Sequence, residues 1–251
     1  MSEKRKNLLV LLEDGPKEME MILRSLKTSR QALLPQIRIL EEHHLIVKSD
    51  DTYELTTIGR LILNDMVPLL KTCQLFDVDI NYWGTHNFDF IPNHLLRRIN
   101  ELEKCRTVSP PITEIYELVA EFHQGSKKSR SVFAITTFLH PNFTTLFSEL
   151  MSNNTNIYMI ISRELFSKLQ TDYQGNLPDV FQNKLFYLYV YPKEMSFLSL
   201  IFNDFDILIS PLKRGGGFDN KYIMCSSKSA LEWGKDLFDC FLKDSDPLTN
   251  V

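Results

Sequence analysis

The chain has 251 residues, of which 43% are hydrophobic and 24% charged, and a formal net charge of −4. These values fit a soluble globular protein of one large or two small domains. They exclude a whole-surface attraction to nucleic acid or anionic lipid, so any anion-binding surface has to be local.

The longest nearly apolar runs, such as "FLSLIF" at 197–202, fall far short of the ~20 residues that span a bilayer. The start "MSEKRKNLLVLLEDGP" meets Glu13-Asp14-Gly15-Pro16 with no small-residue cleavage site, so no signal peptide is expected. Cys73, Cys105, Cys225 and Cys240 lie far apart with no C-x-x-C pair. That spacing predicts reduced, buried cysteines and a cytoplasmic location.

From residue 4 to about 60 the pattern is three short helices followed by a hairpin. Leu8, Leu9, Leu11 and Leu12 lie at helical spacing before Gly15-Pro16. Met19, Ile22, Leu23 and Leu26 make the face of a second helix. Thr28 or Ser29 suits the N-cap of a third, in which Leu33, Ile37 and Leu40 recur at i, i+4, i+7. Two β-prone runs, 45–48 and 53–56, flank the polar tetrad Ser49-Asp50-Asp51-Thr52 and predict a hairpin. This is the order of a winged helix-turn-helix, with a recognition helix over 29–43.

Residues 57–82 read as one long helix. Ile62, Met66, Leu69, Cys73, Phe76 and Ile80 form a 4-3-4-3-4 seam suited to pairing with a second copy, and Pro68 predicts a kink. Beyond residue 83 the pattern turns α/β. "RINELEKC" looks helical, six strand-like runs lie between 130 and 226, "FTTLFSELM" and "RELFSKLQ" are helical, and "SALEWGKDLFDCFL" is a closing helix. The alternation predicts a mixed sheet covered on both faces. The expected domains are therefore 1–60, a linking and dimerisation helix over 61–82, and an α/β regulatory domain over 83–251.

The third helix carries the sharpest functional signal. From Met21 to Leu40 there is no Asp or Glu, while Arg24, Lys27, Arg30 and Arg38 lie inside. Over residues 1–75 eleven basic and eleven acidic side chains balance, so the positive charge is concentrated. Opposite the apolar stripe stand Arg30, Gln31, Leu34, Pro35 and Arg38. Arg pairs with guanine edges and Gln with adenine, and Leu34 or Pro35 fits a thymine methyl. Thr28 and Ser29 at the helix start suit a backbone phosphate. Pro35 predicts a kink or a short first segment. Asp50-Asp51 at the hairpin tip repels phosphate, which leaves Lys48 as the hairpin's one base and makes its groove contact weak or absent. The partners expected are duplex DNA and a second copy, with a non-DNA-binding adaptor as the alternative.

The stretches "KEMEMILRSLKTSRQALLPQIRILEEHHLI" and "YELTTIGRLI" resemble the archaeal winged-helix regulators related to the ArsR group. "YWGTHNFDFIP", "LFSELMSNNTNIYMIIS" and "SALEWGKDLF" are similar to the FilR-type, or methanogenesis regulatory, domain attached to such winged helices. The resemblance implies a dimeric transcriptional regulator with an α/β effector or signalling domain.

The strand-helix pattern also looks like the phospholipase-D-like domains of some archaeal regulators, whose enzymes need His-x-Lys, with His as nucleophile. Two residues after His43, His44, His86, His94, His123 and His140 stand Leu45, Ile46, Phe88, Leu96, Gly125 and Asn142. No lysine follows, so a non-catalytic version is expected, without metal or cofactor. Gly215-Gly216-Gly217 lacks phosphate-loop spacing and reads as a flexible hairpin loop. An effector, small molecule or protein, is expected beyond the carboxyl ends of the strands, where His140, Ser162 and Arg163 are the candidate contacts. Trp83, His86 and Trp233 are expected to pack rather than bind.

Overall fold

The computed structural model describes residues 2–111, 120–175 and 177–248. The chain divides into two compact units, Met1–Cys73 and Gln74–Val251.

The first unit has helices α1 (Glu3–Leu11), α2 (Met19–Ser25) and α3 (Arg30–Glu42) and a three-stranded antiparallel sheet. Strands β1 (Lys17–Glu18), β2 (Ile46–Ser49) and β3 (Thr52–Leu55) lie in the order β1-β3-β2. Leu8, Leu9, Ile22, Leu33, Ile37 and Leu40 are sealed in one core with Ile46, Tyr53 and Leu55. The turn between α2 and α3 is tight because Lys27 takes a left-handed φ of 48° and the Thr28 amide donates to the Leu23 carbonyl at 3.2 Å. Helix α3 continues through Pro35, so the alternative of a short first segment is not what forms. The proline, which has no amide hydrogen to offer the Gln31 carbonyl, sits on the exposed side of the helix, as does Gln31.

Helix α4 (Thr57–Asp77) begins in this unit. Gly59 is required there, because a Cβ at that position falls on the backbone carbonyl oxygen of Leu45. Gly59→Ala should destabilise the first unit by about 1–3 kcal/mol. A chemical melt followed by circular dichroism checks this, and an unchanged midpoint sinks it.

The predicted seam is corrected in two ways. The helix stops at Asp77, and Asp79 caps a separate helix α5 (Ile80–Thr85) by accepting from the Tyr82 amide at 3.0 Å. Ile80 therefore belongs to another element. Met66 and Phe76 pack against the cores of their own units, whereas Ile62, Leu69 and Cys73 stay exposed. Pro68 does not interrupt α4.

The second unit is built on an eight-stranded mixed sheet in the order β11-β7-β6-β5-β8-β9-β10-β4. Its strands are β4 (Cys105–Val108), β5 (Ser131–Thr136), β6 (Asn156–Ser162), β7 (Phe186–Tyr191), β8 (Phe197–Phe202), β9 (Ile207–Pro211), β10 (Tyr222–Cys225) and β11 (Asp246–Pro247). Strands β5, β6 and β7 run parallel, and the other pairings are antiparallel. Strict alternation divides each central strand between two cores. Val132, Ala134, Ile157, Met159 and Ile161 face α8 (Phe143–Ser152) and α9 (Arg163–Asp172). Ile135 and Ile160 face the side closed by α10 (Lys228–Lys243), with Trp233, Leu237 and Phe238. Helices α6 (Asn93–Leu96) and α7 (Ala120–Lys128) complete the described helices.

Two expectations fail in this unit. "RINELEKC" is not a helix; it holds one short 3-10 turn, Ile99–Glu101, and then enters β4. The cysteines are not all reduced: Cys105 and Cys225 are directly paired across β4 and β10 and form a disulfide. Cys73 is exposed and Cys240 half-buried, both as free thiols.

Candidate nucleic-acid interface

Helix α3 hides one face and offers the other. Leu33, Ile37 and Leu40 are buried, whereas Arg30, Gln31, Pro35 and Arg38 are exposed. The Ser29 hydroxyl caps the helix by accepting from the Ala32 amide at 3.4 Å, and Thr28 is half-buried in the preceding turn. Leu34 leans on the core as a partly buried residue, so Pro35 is the better placed of the two for an apolar contact. Arg24 and Lys27 are also exposed. Arg30 lies 3.9 Å from Glu20, with both side chains more than half exposed. At that distance and exposure the pair is worth at most about 1 kcal/mol, and the guanidinium keeps its donors. Lys48 is exposed on β2, opposite Tyr53, and the hairpin tip carries Asp50 and Asp51.

Along α4 a second surface stays uncovered. Ile58 is 52% exposed, Ile62 43%, and Leu61 and Leu69 62% each. Single exposed apolar residues are ordinary, but several on one helix suit a partner surface.

In the second unit the strand-end candidates do not converge. The Ser162 hydroxyl is buried and caps α9 by accepting from the Leu165 amide at 3.1 Å, so it is engaged in the fold. Arg163 is exposed at the first position of α9. His140 accepts at Nδ1 from the Asn142 amide at 3.1 Å and lines a shallow groove of about 240 Å³ with Phe138, Leu165, Lys168 and Tyr173. Neither Ser162 nor Arg163 lines that groove. A serine directly before a helical run is itself a capping signal, which strand-end reasoning passed over.

Trp83, His86 and Trp233 pack, as expected. Trp233 is fully buried and donates from Nε1 to the Leu95 carbonyl at 3.0 Å. Trp83 stacks on Phe88, with ring centres 4.5 Å apart. His86 stacks on Tyr82, and its Nε2 lies 3.4 Å from the Asp219 carboxylate. Burial pushes the Asp219 carboxyl up. Its hydrogen bonds with Lys213 and the Lys221 amide, and the nearby His86, outweigh that and hold it below the usual carboxylate range. Among the described residues no group of three or more His, Cys, Asp or Glu side chains is arranged to hold a metal ion. No helix among them is long and apolar enough to cross a membrane.

Comparison with known proteins defines the class: the chain matches domain models of a family of regulatory proteins. The chain belongs to the family of the methanogenesis regulatory protein FilR1, whose N-terminal domain matches residues 1–74 and whose middle domain matches residues 115–244. The curated FilR1 of Methanothrix harundinacea (strain 6Ac) is 20% identical, over 97% of this chain and 56% of that protein. The chain thus spans little more than half the length of that relative. Among solved structures, TrmBL2, an archaeal chromatin protein, aligns over 99% of this chain and 95% of its own, at 9% identity and a TM-score of 0.44. The phospholipase D family member Nuc of Salmonella typhimurium aligns over 59% of this chain and 99% of its own, at 7% identity and a TM-score of 0.40. Scores this low carry no function across.

Proposed function

We propose that the protein is a homodimeric, DNA-binding transcriptional regulator of the cytoplasm. In this reading Met1–Cys73 is a winged helix related to the ArsR group. Helices α2 and α3 form the helix-turn-helix and β2–β3 the wing, and α3 enters the major groove of a two-fold operator. Arg30, Gln31 and Arg38 read base edges, Pro35 and the flank of Leu34 touch thymine methyls, and Ser29 with Thr28 meets a phosphate. Lys48 adds a minor backbone contact, limited by the acidic tip beside it. The exposed stripe of α4 supports pairing with a second copy. The second unit then serves as the sensor, with the His140 groove as the supported place for a small effector and Arg163 standing outside it.

The observation that carries this reading is the exposed face of α3. It presents Arg30 and Arg38 with no acid from Met21 to Leu40, behind a stripe sealed in the core. A phosphate-rich groove needs such a local field on a protein whose overall charge is negative. The test is a salt-titrated binding assay against genomic fragments. Specific binding that weakens steeply with salt is expected. Retention of no fragment at any salt favours a protein-contact adaptor instead. Arg30→Ala should cost about 1–3 kcal/mol of binding at its base pair; an unchanged affinity removes Arg30 from the interface.

A further inference from the structure

The segment 212–221, "LKRGGGFDNK", joins β9 to β10. Its base is firmly held. The Asn87 amide donates to the Leu212 carbonyl at 2.8 Å, the Arg214 amide donates to the Thr85 carbonyl at 3.0 Å, and Asn220 donates from Nδ2 to the Pro110 carbonyl at 2.7 Å. The Asp219 carboxylate is occupied by Lys213 at 3.3 Å and His86 at 3.4 Å. The tip is different. Phe218 is 53% exposed, and among the described residues no carboxylate pairs with Arg214.

The glycines there are the informative part. Gly216 takes a φ of +77°, which the turn requires. Gly215 and Gly217 do not have left-handed φ, and a Cβ added to either would meet nothing within 4 Å. Neither turn geometry nor packing among the described residues therefore asks for glycine at 215 and 217. Bare backbone beside an exposed guanidinium and an exposed ring suits a partner that approaches the main chain closely.

We infer that the tip 213–218 is a second nucleic-acid contact, in which Arg214 binds a phosphate of duplex DNA and Phe218 packs on the sugar edge of the minor groove. A protein partner is the weaker fit, since one exposed phenylalanine and three glycines give little of the ~800 Å² per side that a stable protein interface buries. Phosphate contacts by arginine and apolar wedges in the minor groove need no such area. The inference rests on the DNA-binding reading above but uses none of the α3 residues.

The experiment measures binding of the full chain to a selected genomic fragment and to a random duplex across a salt series. The variants are Arg214→Ala, Phe218→Ala, the double change Gly215→Ala/Gly217→Ala, and Arg30→Ala. Arg214→Ala should weaken binding to both duplexes equally and flatten the salt slope by about 0.9, an effect of roughly eightfold at 0.1 M relative to 1 M salt. The glycine variant should melt like the parent and still bind less tightly. If Arg214→Ala and Phe218→Ala bind both duplexes as the parent does while Arg30→Ala loses the selected fragment, the tip contact is overturned and the α3 reading stands. If Arg30→Ala changes nothing while Arg214→Ala weakens both duplexes, the α3 reading falls and the tip contact stands. Failure of the parent to bind any duplex overturns both.

Discussion

Trp233→Ala should lower the stability of the second unit by about 3–5 kcal/mol. The side chain is fully buried, among the largest groups of the core that closes one face of the sheet. Its loss leaves a void in the core beside Leu95 that rigid strands cannot fill. It also leaves the Leu95 carbonyl, which accepts from Nε1 at 3.0 Å, without its donor. The next residue, Gly234, shows how tight this contact is, because a Cβ there runs into the Ile207 side chain. Thermal melting should fall by roughly 6–20 °C. Trp233→Phe keeps most of the ring and should recover the larger part of that loss. A Trp233→Ala protein that melts within a degree or two of the parent would show that the core collapses onto the gap.

Opening the Cys105–Cys225 bridge should cost a similar amount. The two residues lie 120 apart in sequence, and the chain-entropy contribution of closing so long a loop is about 4–5 kcal/mol. Cys105→Ser with Cys225→Ser, compared with the parent in denaturant, measures it. Alkylation of the untreated protein should label Cys73, which is exposed, and Cys240 more slowly, since burial raises its thiol pKa. Finding four reactive thiols in the untreated protein after denaturation would mean that the bridge does not form where the protein works.

Long apolar strands were readable because their signal is local. "NIYMIIS" and "RSVFAITTF" announce β6 and β5 through β-branched and aromatic residues alone. Strand β4 was not, since "CRTV" alternates with polar residues and is a strand only because β10 lies beside it. The disulfide escaped for the same reason: spacing in sequence does not reveal cross-strand register. The apparent heptad ran through Val78-Asp79 because a seam pattern counts apolar residues and overlooks that Asp79 caps a new helix. On α3 the buried and exposed faces followed from the Leu33, Ile37 and Leu40 spacing, because 3.6-residue periodicity fixes which side chains share a face. The Arg30–Glu20 approach was not visible, as it joins two helices around a turn. At Ser162 strand end and helix start coincide, and the hydroxyl caps the helix, a role that strand spacing alone does not reveal.

The ends of the large sheet bear on how the protein behaves when concentrated. One margin is β11, only Asp246–Pro247, and proline has no amide hydrogen to offer a newcomer. The other is β4, bolted to its neighbour by the Cys105–Cys225 bridge and followed, after Ser109, by Pro110 and Pro111. A sheet of eight strands with open margins invites strand-by-strand growth into fibrils. Here both margins are short, one ending in a proline and the other running into two, so crowding should leave the protein dispersed rather than polymerised.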